Sequence, residues 1–416
     1  GQNEMAAVLA PMTDKIAAEV GMDRIAFRRL NALRSDGFQG GSQGPVTSSF
    51  IAEALDQGRR AFDWDAREAQ SRDLGGSKKR GLGIGIGYHG AGGRGYDGLL
   101  KMGTNGTLHI HSGVGNLGTY SYAANCRAAA EAMQIPWENC EIHRGRTDRH
   151  LPHSSGQGGS NTVFTHGRAM WVAAEDMIAK MKEIAAMDLG GSSDDYEIGG
   201  ERVFKSSDPS QGLTYAQTAQ RAIELGGKFD GQEYPDDINP ITQLATQGLA
   251  GTGLVGVAKD KIPGQGQPPG NIVGFCEIEL DTDTGKIEIT DYAGIADCGT
   301  VVHPKNFDNS MRGGMVWGVG LTNLERHVYD PQNGLPANTG LYQNKPPTNM
   351  DVPVDTIQQA VNIPDPQSPI GARGIGEPTQ GAMAAALASA IRDALDGHMF
   401  NTAPTTTDMI IDHLAG

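Results

Sequence analysis

The sequence Pro369-Ile-Gly-Ala-Arg-Gly-Ile-Gly-Glu-Pro378 is the most informative part of this 416-residue chain. Three of its glycines lie within six residues and precede Glu377, which stands directly before a helix that Pro378 is expected to open. The glycines carry no side chains that would cover the carboxylate, so another group can approach it closely. Glu377 could simply be a charge stabilised by the dipole of the following helix. A carboxylate on a rigid loop without side chains nevertheless suits a general base.

Outward from this segment, helices and strands alternate irregularly, which predicts an α+β fold with two mixed α/β subdomains. An amphipathic helix at residues 3–19, which Pro11 is expected to kink or split, is predicted from four apolar residues at helical spacing, Met5, Leu9, Met12 and Ile16. Further helices are predicted at residues 23–30, 48–62, 120–133, 167–187, 215–225 and 378–395, and from residue 304 onward. Strands are predicted at residues 107–111 and 140–144 and in a hairpin over residues 272–296.

The composition excludes several classes of protein. The 34 basic and 49 acidic residues give a net charge of −15, so an extended nucleic-acid surface, which needs a basic face, is not expected. No run reaches the ~18 apolar residues of a membrane span. The four cysteines have neither disulfide nor zinc-ribbon spacing, which predicts core residues in a reducing compartment. A cytoplasmic location is therefore expected, or a periplasmic one if a partner carries the export signal.

The 59 glycines form the pattern G-x-G-x-x-G five times. Only the pattern at Gly113, Gly115 and Gly118 lies between a predicted strand and a predicted helix, and Glu141 follows Gly118 by 23 residues. This outline keeps a NAD-dependent dehydrogenase as an alternative, although the polar alternation of the preceding strand does not suit a buried parallel strand. The simpler inference is that N–H groups at a glycine-rich helix start favour an anionic or oxygen-rich ligand.

Five histidines lie in the same part of the chain. His109 and His111 point to one face of the predicted strand, and His143, His150 and His153 follow. Their spacing matches no strong metal motif, so hydrogen-bonded or exposed histidines are the favoured interpretation.

The segment Gly371-Ala-Arg-Gly-Ile-Gly-Glu-Pro378 resembles the signature around the catalytic glutamate of the molybdenum hydroxylases, the family of xanthine dehydrogenase and aldehyde oxidoreductase. Other segments resemble the same family in the same order, at residues 27–31, 277–281, 284–285, 296–299, 303–304 and 312–318. The resemblance covers essentially the whole chain and corresponds to the later half of a molybdenum-binding subunit. It implies the fold of the molybdopterin-binding part of that subunit.

The resemblance implies that Glu377 is the general base at a molybdenum centre with a hydroxyl and a sulfido group. In the family, this glutamate takes the hydroxyl proton while the oxygen attacks a substrate carbon and hydride passes to the sulfido group. The metal is implied to be held through the dithiolene of molybdopterin in its cytosine dinucleotide form, without protein ligands. The residues implied to bind the cofactor are Gly115, Asn116, Leu117, Gly118, Thr119, Gly159, Ser160, Asn161, Thr162, Arg373, Gly374, Ile375 and Gly376.

The cofactor loop departs from the family pattern. The family usually has Met-Gly-Gln-Gly where this chain has Leu117-Gly-Thr-Tyr120, so Thr119 replaces the usual glutamine and its side-chain contact to the pterin. Gly118 is retained, so the cofactor can still approach the backbone closely at this position. Upstream of the second loop, Gly145-Arg146-Thr147 stands where the family has Gly-Asp-Thr.

The resemblance also implies partners, because the first cofactor loop and the iron–sulfur cysteines of the family are not found in this chain. The molybdenum subunit is then either naturally split or cleaved at the point where this chain begins. We favour a split subunit, assembled with its other half, a 2Fe–2S subunit and an FAD subunit, that oxidises an N-heteroaromatic compound or an aldehyde. The expected segments are 1–80, a helical continuation of the missing half; 81–258, with cofactor loops at 113–120 and 156–162; and 259–416, with hairpin 272–296 and segment 369–378. A second hypothesis is a non-catalytic scaffold that has lost its cofactor contacts, against which the intact Glu377 segment argues.

Overall fold

The computed structural model describes residues 1–39, 44–154 and 156–416, which form two compact units. Unit one comprises residues 1–90, 269–363 and 375–416, and unit two comprises residues 91–268 and 364–374. Each unit is a mixture of helices and mixed sheets, so the predicted α+β class is confirmed.

The eight predicted helices lie close to their predicted positions, and three further helices of the described residues, at residues 64–68, 240–249 and 407–414, were not predicted. In chain order, the helices of the described residues are α1 Gln2–Glu19, α2 Arg24–Leu30, α3 Ile51–Ala61, α4 Trp64–Glu68, α5 Ser121–Ala132, α6 Thr162–Leu189, α7 Tyr215–Leu225, α8 Pro240–Leu249, α9 Pro304–Val319, α10 Pro378–Ala394 and α11 Thr407–Leu414. The prediction for α6 was wrong at its start, because the helix begins at Thr162, five residues before residue 167.

Four sheets are formed by the strands of the described residues. In chain order, the strands of the described residues are β1 Phe38–Gln39, β2 Gly44–Pro45, β3 Asp73–Gly75, β4 Lys78–Gly90, β5 Asp97–Met102, β6 Leu108–His111, β7 Cys140–His143, β8 Tyr196–Gly199, β9 Arg202–Lys205, β10 Asp208–Thr214, β11 Leu254–Lys259, β12 Pro269–Asp281, β13 Ile287–Asp297 and β14 Ile357–Ala360. The predicted hairpin is confirmed by the antiparallel pair β12–β13.

Unit one is built on a five-stranded sheet with the order β14-β13-β12-β4-β3. One face packs against α3, where Leu55 meets Phe275 and Ile84 in the same hydrophobic cluster. The other face packs against α9 and α10, with Met315 and Leu387 in its cluster. Strand β4 pairs with β12 along its whole length, and both strands belong to unit one, whose stretches end at residue 90 and resume at residue 269.

Alternate glycines in β4 bring α10 unusually close to the sheet. A Cβ on Gly83 would lie 1.9 Å from the carbonyl oxygen of Ala386, and one on Gly87 would lie 2.0 Å from that of Pro378. Such distances leave no room for any side chain. The alternate glycines of β4 therefore form the part of the sheet that contacts α10.

The predicted helix α1 is present, and its apolar stripe faces away from the rest of unit one. Ala6 and Ala10 pack against Ala385 of α10, whereas the larger residues of the stripe are about half exposed: Met5, Leu9, Met12 and Ile16. Only alanine-sized side chains let the two helix backbones approach, so the large residues are left outside. The helix also continues through Pro11 without a break, since proline removes one donor only and packing offsets that loss.

Unit two contains a four-stranded sheet with the order β11-β5-β6-β7. The pair β6–β7 is parallel and is connected through α5, so the predicted β-α-β outline is present. Helices α5 and α6 cover one face, with Met170 and Ala129 in the cluster around Leu100. Helix α8 covers Leu99 and Val257 on the other face. The glycine-rich loop before α5 therefore follows the carboxyl end of β6.

No helix in residues 1–39, 44–154 or 156–416 is both long and apolar enough to cross a lipid bilayer.

Candidate cofactor site

The segment that carries the glutamate signature is anchored in unit two up to Gly374. Arg373 and Asp365 form a fully buried ion pair with a distance of 3.3 Å between the guanidinium Nε and a carboxylate oxygen. The amide of Asp365 also donates to the carbonyl oxygen of Gly371, which closes the loop on itself. Arg373, predicted to bind the cofactor, thus directs its side chain into this ion pair, and its backbone is the part left for a ligand.

Arg168 of α6 anchors the start of the same segment through hydrogen bonds within unit two. Its guanidinium pairs with Asp260 at 2.8 Å, and both side chains are completely buried. It also donates to the carbonyl oxygens of Gln367 and Ile262. A buried arginine with five donors can satisfy several acceptors at once, which fixes the start of the segment on α6.

Gly374 is required by the close approach of the second predicted cofactor loop. A Cβ at this position would lie 1.6 Å from the carbonyl oxygen of Ser160. Residues 156–162 and 369–374 are therefore packed backbone against backbone in unit two. Two stretches that are distant in the sequence are brought together at a point where only glycine fits.

In unit one, Glu377 occupies the N-cap position of α10 and is half buried. The hydroxyl of Thr379 donates to the carbonyl oxygen of Gly376 at 2.8 Å, which fixes the turn that enters the helix. Ile375 packs into the hydrophobic cluster around Met311, so only its backbone is available to a ligand. The helix start predicted at Pro378 is confirmed.

The first predicted cofactor loop is an exposed turn organised by Asn116. The Asn116 carbonyl oxygen Oδ1 accepts from the amides of Gly118 at 3.0 Å and Tyr120 at 3.3 Å. Gly118 has a φ of 84°, and no atom of residues 1–39, 44–154 or 156–416 lies within 4 Å of a Cβ built there. Leu117 is 64% exposed at the tip. The loop therefore presents a glycine backbone to open space, next to a large unpaired apolar side chain.

The second predicted cofactor loop ends at the amino end of α6. Thr162 is the first helical residue, and Asn161 is at the N-cap without a capping hydrogen bond from its side chain. The Oδ1 atom of Asn161 is buried and has no hydrogen-bond partner among the described residues. An uncapped helix start beside a buried acceptor can bind a ligand that carries both negative charge and N–H donors.

Gln157 connects the two loops and was missed by the sequence analysis. Its Nε2 atom donates to the Ser121 hydroxyl oxygen at 3.1 Å, and the Thr119 hydroxyl donates to the same oxygen at 3.2 Å. Gln157 Oε1 would lie 3.2 Å from a Cβ on Gly115. An amide side chain is thus present at the first loop, although position 119 has none. Its only sequence signal is its place within Gly156-Gln-Gly-Gly159.

The histidines of β6 and β7 form a second cluster in unit two. His109 Nδ1 and His143 Nε2 are 2.9 Å apart, and Glu141 lies within 3.6 Å of both rings. Burial, together with Lys101 and His143, lowers the pKa of His109 to about 4. Burial also lowers the pKa of His143, so both rings are neutral at pH 7.

Comparison of the sequence with models of protein families identifies the family of this chain. Residues 57–353 match the model of the molybdopterin cofactor-binding domain, which is most of the chain. The chain belongs to the molybdopterin cofactor-binding domain family. The resemblance to molybdenum hydroxylases is thereby confirmed, although segment 369–378 lies beyond the matched residues.

Individual proteins that are similar to this chain have names that agree with this family. The chain is 25% identical over 438 residues to the putative xanthine dehydrogenase molybdenum-binding subunit XdhA of Escherichia coli, covering 100% of this chain and 53% of that protein. It is 27% identical over 355 residues to the probable hypoxanthine oxidase XdhD of the same organism, covering 84% and 33%. A crystal structure of the Cu,Mo-CO dehydrogenase has the same fold, with a TM-score of 0.80, 20% identity, and coverage of 99% and 51%.

These comparisons set the extent of the match. The chain spans about half the length of the first curated relative, XdhA. Its relatives are molybdenum-containing oxidoreductases.

The residues of unit two fit a molybdopterin. Molybdopterin carries N–H donors on its pterin ring and a phosphate on its side chain, and both find complementary groups at the end of the second loop. The buried Asn161 Oδ1 lacks a donor among the described residues, and the start of α6 has no side-chain cap. No atom of the described residues lies within 4 Å of Cβ atoms built on Gly118 and Gly158, so the described part of the chain leaves the backbone there open to a flat ligand. These groups thus suit molybdopterin, with its ring N–H groups at the Asn161 oxygen and its phosphate at the backbone N–H groups of the helix start.

Proposed function

We propose that this chain is the part of a molybdenum-dependent hydroxylase that carries the catalytic base. The observation that supports it most is the position of Glu377, half buried at the N-cap of α10 and preceded by Gly376, in a chain of the molybdopterin cofactor-binding family. When bound, the molybdenum cofactor supplies the two-electron oxidation of a substrate carbon with oxygen derived from water. Glu377 acts as the base that accepts the proton released in this step.

The proposed cofactor contacts are mainly backbone and amide groups. In unit two they are residues Gly115, Asn116, Leu117, Gly118, Thr119, Gly159, Ser160, Asn161, Thr162, Arg373 and Gly374, to which we add Gln157. In unit one they are Ile375 and Gly376. Asn161 accepts from the pterin, the first turn of α6 binds the phosphate, and Gln157 supplies the amide that Thr119 lacks. The proposed form is the cytosine dinucleotide of molybdopterin.

We propose a purine or a related N-heteroaromatic compound as the substrate, and an aldehyde as the alternative. The names of the two curated relatives support this order, since one is a putative xanthine dehydrogenase subunit and the other a probable hypoxanthine oxidase. In such rings, the carbon between two nitrogens is electron-poor and open to attack by oxygen.

The proposed assembly contains the remaining part of the molybdenum subunit, a 2Fe–2S subunit and an FAD subunit. The chain spans about half of the relative XdhA, and the apolar stripe of α1 is uncovered in unit one. An apolar surface of this kind is typical of a protein–protein interface. The four cysteines are free thiols, which supports a reducing compartment such as the cytoplasm.

The test is Glu377→Gln in the complex purified from its native source. Molybdenum is measured by elemental analysis, and turnover is measured with hypoxanthine, with xanthine and with benzaldehyde. We expect an unchanged molybdenum content and a loss of turnover of at least about 100-fold, because only the proton acceptor is removed. The matched control is Glu288→Gln, which changes an exposed glutamate of β13 in the same unit.

The alternatives give different results. Retained turnover in the Glu377→Gln complex would refute the role of this glutamate. An intact complex without molybdenum would establish the scaffold hypothesis instead. Binding of NAD by the chain alone, lost when Gly118 is replaced by valine, would establish the dehydrogenase hypothesis.

A further inference from the structure

Three metal-ligand side chains of unit two meet outside the proposed cofactor surface. His109 lies on β6, and Glu141 and His143 lie on the parallel neighbour β7. The register pairs His109 with Glu141 and His111 with His143, so these side chains share one face of the sheet. The parallel pairing, and not the sequence spacing, brings the three ligands together.

The distances within this cluster match the coordination shell of a metal ion. His109 Nδ1 is 2.9 Å from His143 Nε2, and Glu141 oxygens lie 3.4 Å from the first and 3.6 Å from the second. Ligands bound tetrahedrally at ~2.0–2.1 Å are about 3.3 Å from one another. One donor atom from each residue can be chosen so that all three lie within 4.8 Å of one another. The cluster needs little rearrangement to bind an ion.

The cluster can be reached from solvent. The side chains of His109 and His143 are 15% and 14% exposed, whereas Glu141 is 55% exposed at its edge. Lys101 of β5 is the register partner of His109 and opposes a cation from the same face. A hard ion such as Mg²⁺ or Ca²⁺, which relies on carboxylate charge, is therefore disfavoured, and imidazole ligands favour zinc or a similar transition metal.

His111 adds an unsatisfied acceptor beside the cluster. Its Nδ1 lies 3.1 Å from the carbonyl oxygens of Arg149 and His150, so Nδ1 carries the proton and Nε2 is the acceptor. This buried Nε2 has no hydrogen-bond partner among the described residues. The ring stacks on His143 with 4.6 Å between the centroids. A fourth group with acceptor character thus flanks the three ligands.

We propose that His109, Glu141 and His143 form a binding site for one divalent transition metal ion of the zinc class. The ion links β6 to β7. Strand β6 ends directly before the first cofactor loop, and β7 ends before the polar segment that leads to the second cofactor loop. The site uses only residues of this chain and is independent of the function proposed above. It is also distinct from molybdenum, which a pterin holds without these side chains.

The test is a calorimetric titration of the full chain with Zn²⁺ after treatment with a chelator. We expect one Zn²⁺ per chain, and a loss of affinity of at least about 100-fold in the double variant His109→Gln/His143→Gln. A second variant, Glu141→Gln, changes a largely exposed side chain and should weaken binding about tenfold without affecting the fold. Thermal unfolding in the presence of chelator checks that each variant is folded.

The control is the stacked pair His398 and His413 of unit one, whose ring centroids are 3.6 Å apart. The variant His398→Gln/His413→Gln should bind Zn²⁺ like the unmodified chain. Loss of binding in this control would overturn the proposal, as would equal affinity in the His109→Gln/His143→Gln variant. Co²⁺ serves as a second probe, because visible absorption bands of a bound ion should appear in the unmodified chain and be absent from that variant.

Discussion

Gly87 of β4 lies directly against Pro378 of α10, and a Cβ on Gly87 would be 2.0 Å from the Pro378 carbonyl oxygen. Pro378 is the first residue of the helix, and Glu377 is its N-cap. The strand glycine therefore sets the position of the helix start that presents the proposed base. A residue 290 positions earlier in the chain controls the glutamate by having no side chain.

Gly87→Ala should displace the first turn of α10. The added methyl group meets backbone, which cannot move away cheaply, so we expect a loss of about 1–3 kcal/mol in the free energy of unfolding, measured with urea. Gly313→Ala in α9 is the control, since nothing lies within 4 Å of a Cβ there. The control should be neutral or slightly stabilising, because alanine favours a helix. Equal stability of the two variants would contradict the packing described for β4.

Arg168→Leu should be among the most damaging single changes in unit two. It leaves Asp260 buried without its ion-pair partner, which costs about 3–5 kcal/mol of unfolding free energy. The carbonyl oxygen of Gln367 also loses its donor, so the anchor of segment 364–374 is weakened. The matched control is Arg146→Leu, which breaks the exposed ion pair with Asp148 and should have no measurable effect on a urea denaturation curve. The prediction fails if both variants behave alike.

His166 should make the stability of the chain depend on pH. Burial lowers its pKa to about 4, against an ordinary value near 6.5. Between these values the unfolded chain binds a proton that the folded chain does not, so the free energy of unfolding falls as the pH is lowered from 6.5 to 4. This residue contributes up to about 3 kcal/mol of that fall.

The measurement for His166 is a series of urea denaturation curves between pH 7 and pH 4. His166→Gln should show a smaller decrease in the free energy of unfolding over this range than the unmodified chain. His327→Gln, which changes an exposed histidine, should keep the full decrease. The same slope in all three proteins would rule out a neutral, buried His166.

Substitutions on the two sides of α1 should have different effects on the free energy of unfolding. Leu9→Lys changes a residue that is 49% exposed and should leave the free energy of unfolding unchanged while weakening association with the proposed partner subunits in sedimentation experiments. Ala10→Leu inserts a large side chain against Ala385 and should cost about 1–3 kcal/mol of unfolding free energy. A destabilising Leu9→Lys together with a neutral Ala10→Leu would mean that the helix packs through its apolar stripe.

Gln157→Ala should lower the molybdenum content of the purified complex. The substitution removes the amide next to the first loop and its hydrogen bond to Ser121. The expected loss of one hydrogen bond is about 1 kcal/mol, or roughly a fivefold weaker retention of cofactor during dialysis. Gln211→Ala changes an exposed glutamine of the same unit and is the control. Equal molybdenum retention in the two variants would exclude a role for Gln157.

Much of the fold was predictable because local rules agree with the tertiary structure. The turn Asp281 to Gly285 fixes the hairpin β12–β13, and Pro378 fixes the start of α10. The glutamate signature also gave the family, which the comparison with the molybdopterin cofactor-binding domain confirms. The residues of the candidate site were harder to predict from the sequence. Gln157 is an isolated amide in a glycine-rich stretch, and no local pattern indicates that it contacts Ser121.

The sequence by itself determined most of the helices, the hairpin β12–β13, the glycine-rich loops and the family, since turn residues, helix caps and short signatures act over a few neighbouring positions. Tertiary structure alone decided which side of α1 is buried, because that depends on the alanines of α10. It also decided that β6 and β7 lie side by side, which brings His109 within hydrogen-bond distance of His143. Contacts of this kind depend on pairing between distant segments, and periodicity along one segment carries no information about its neighbour.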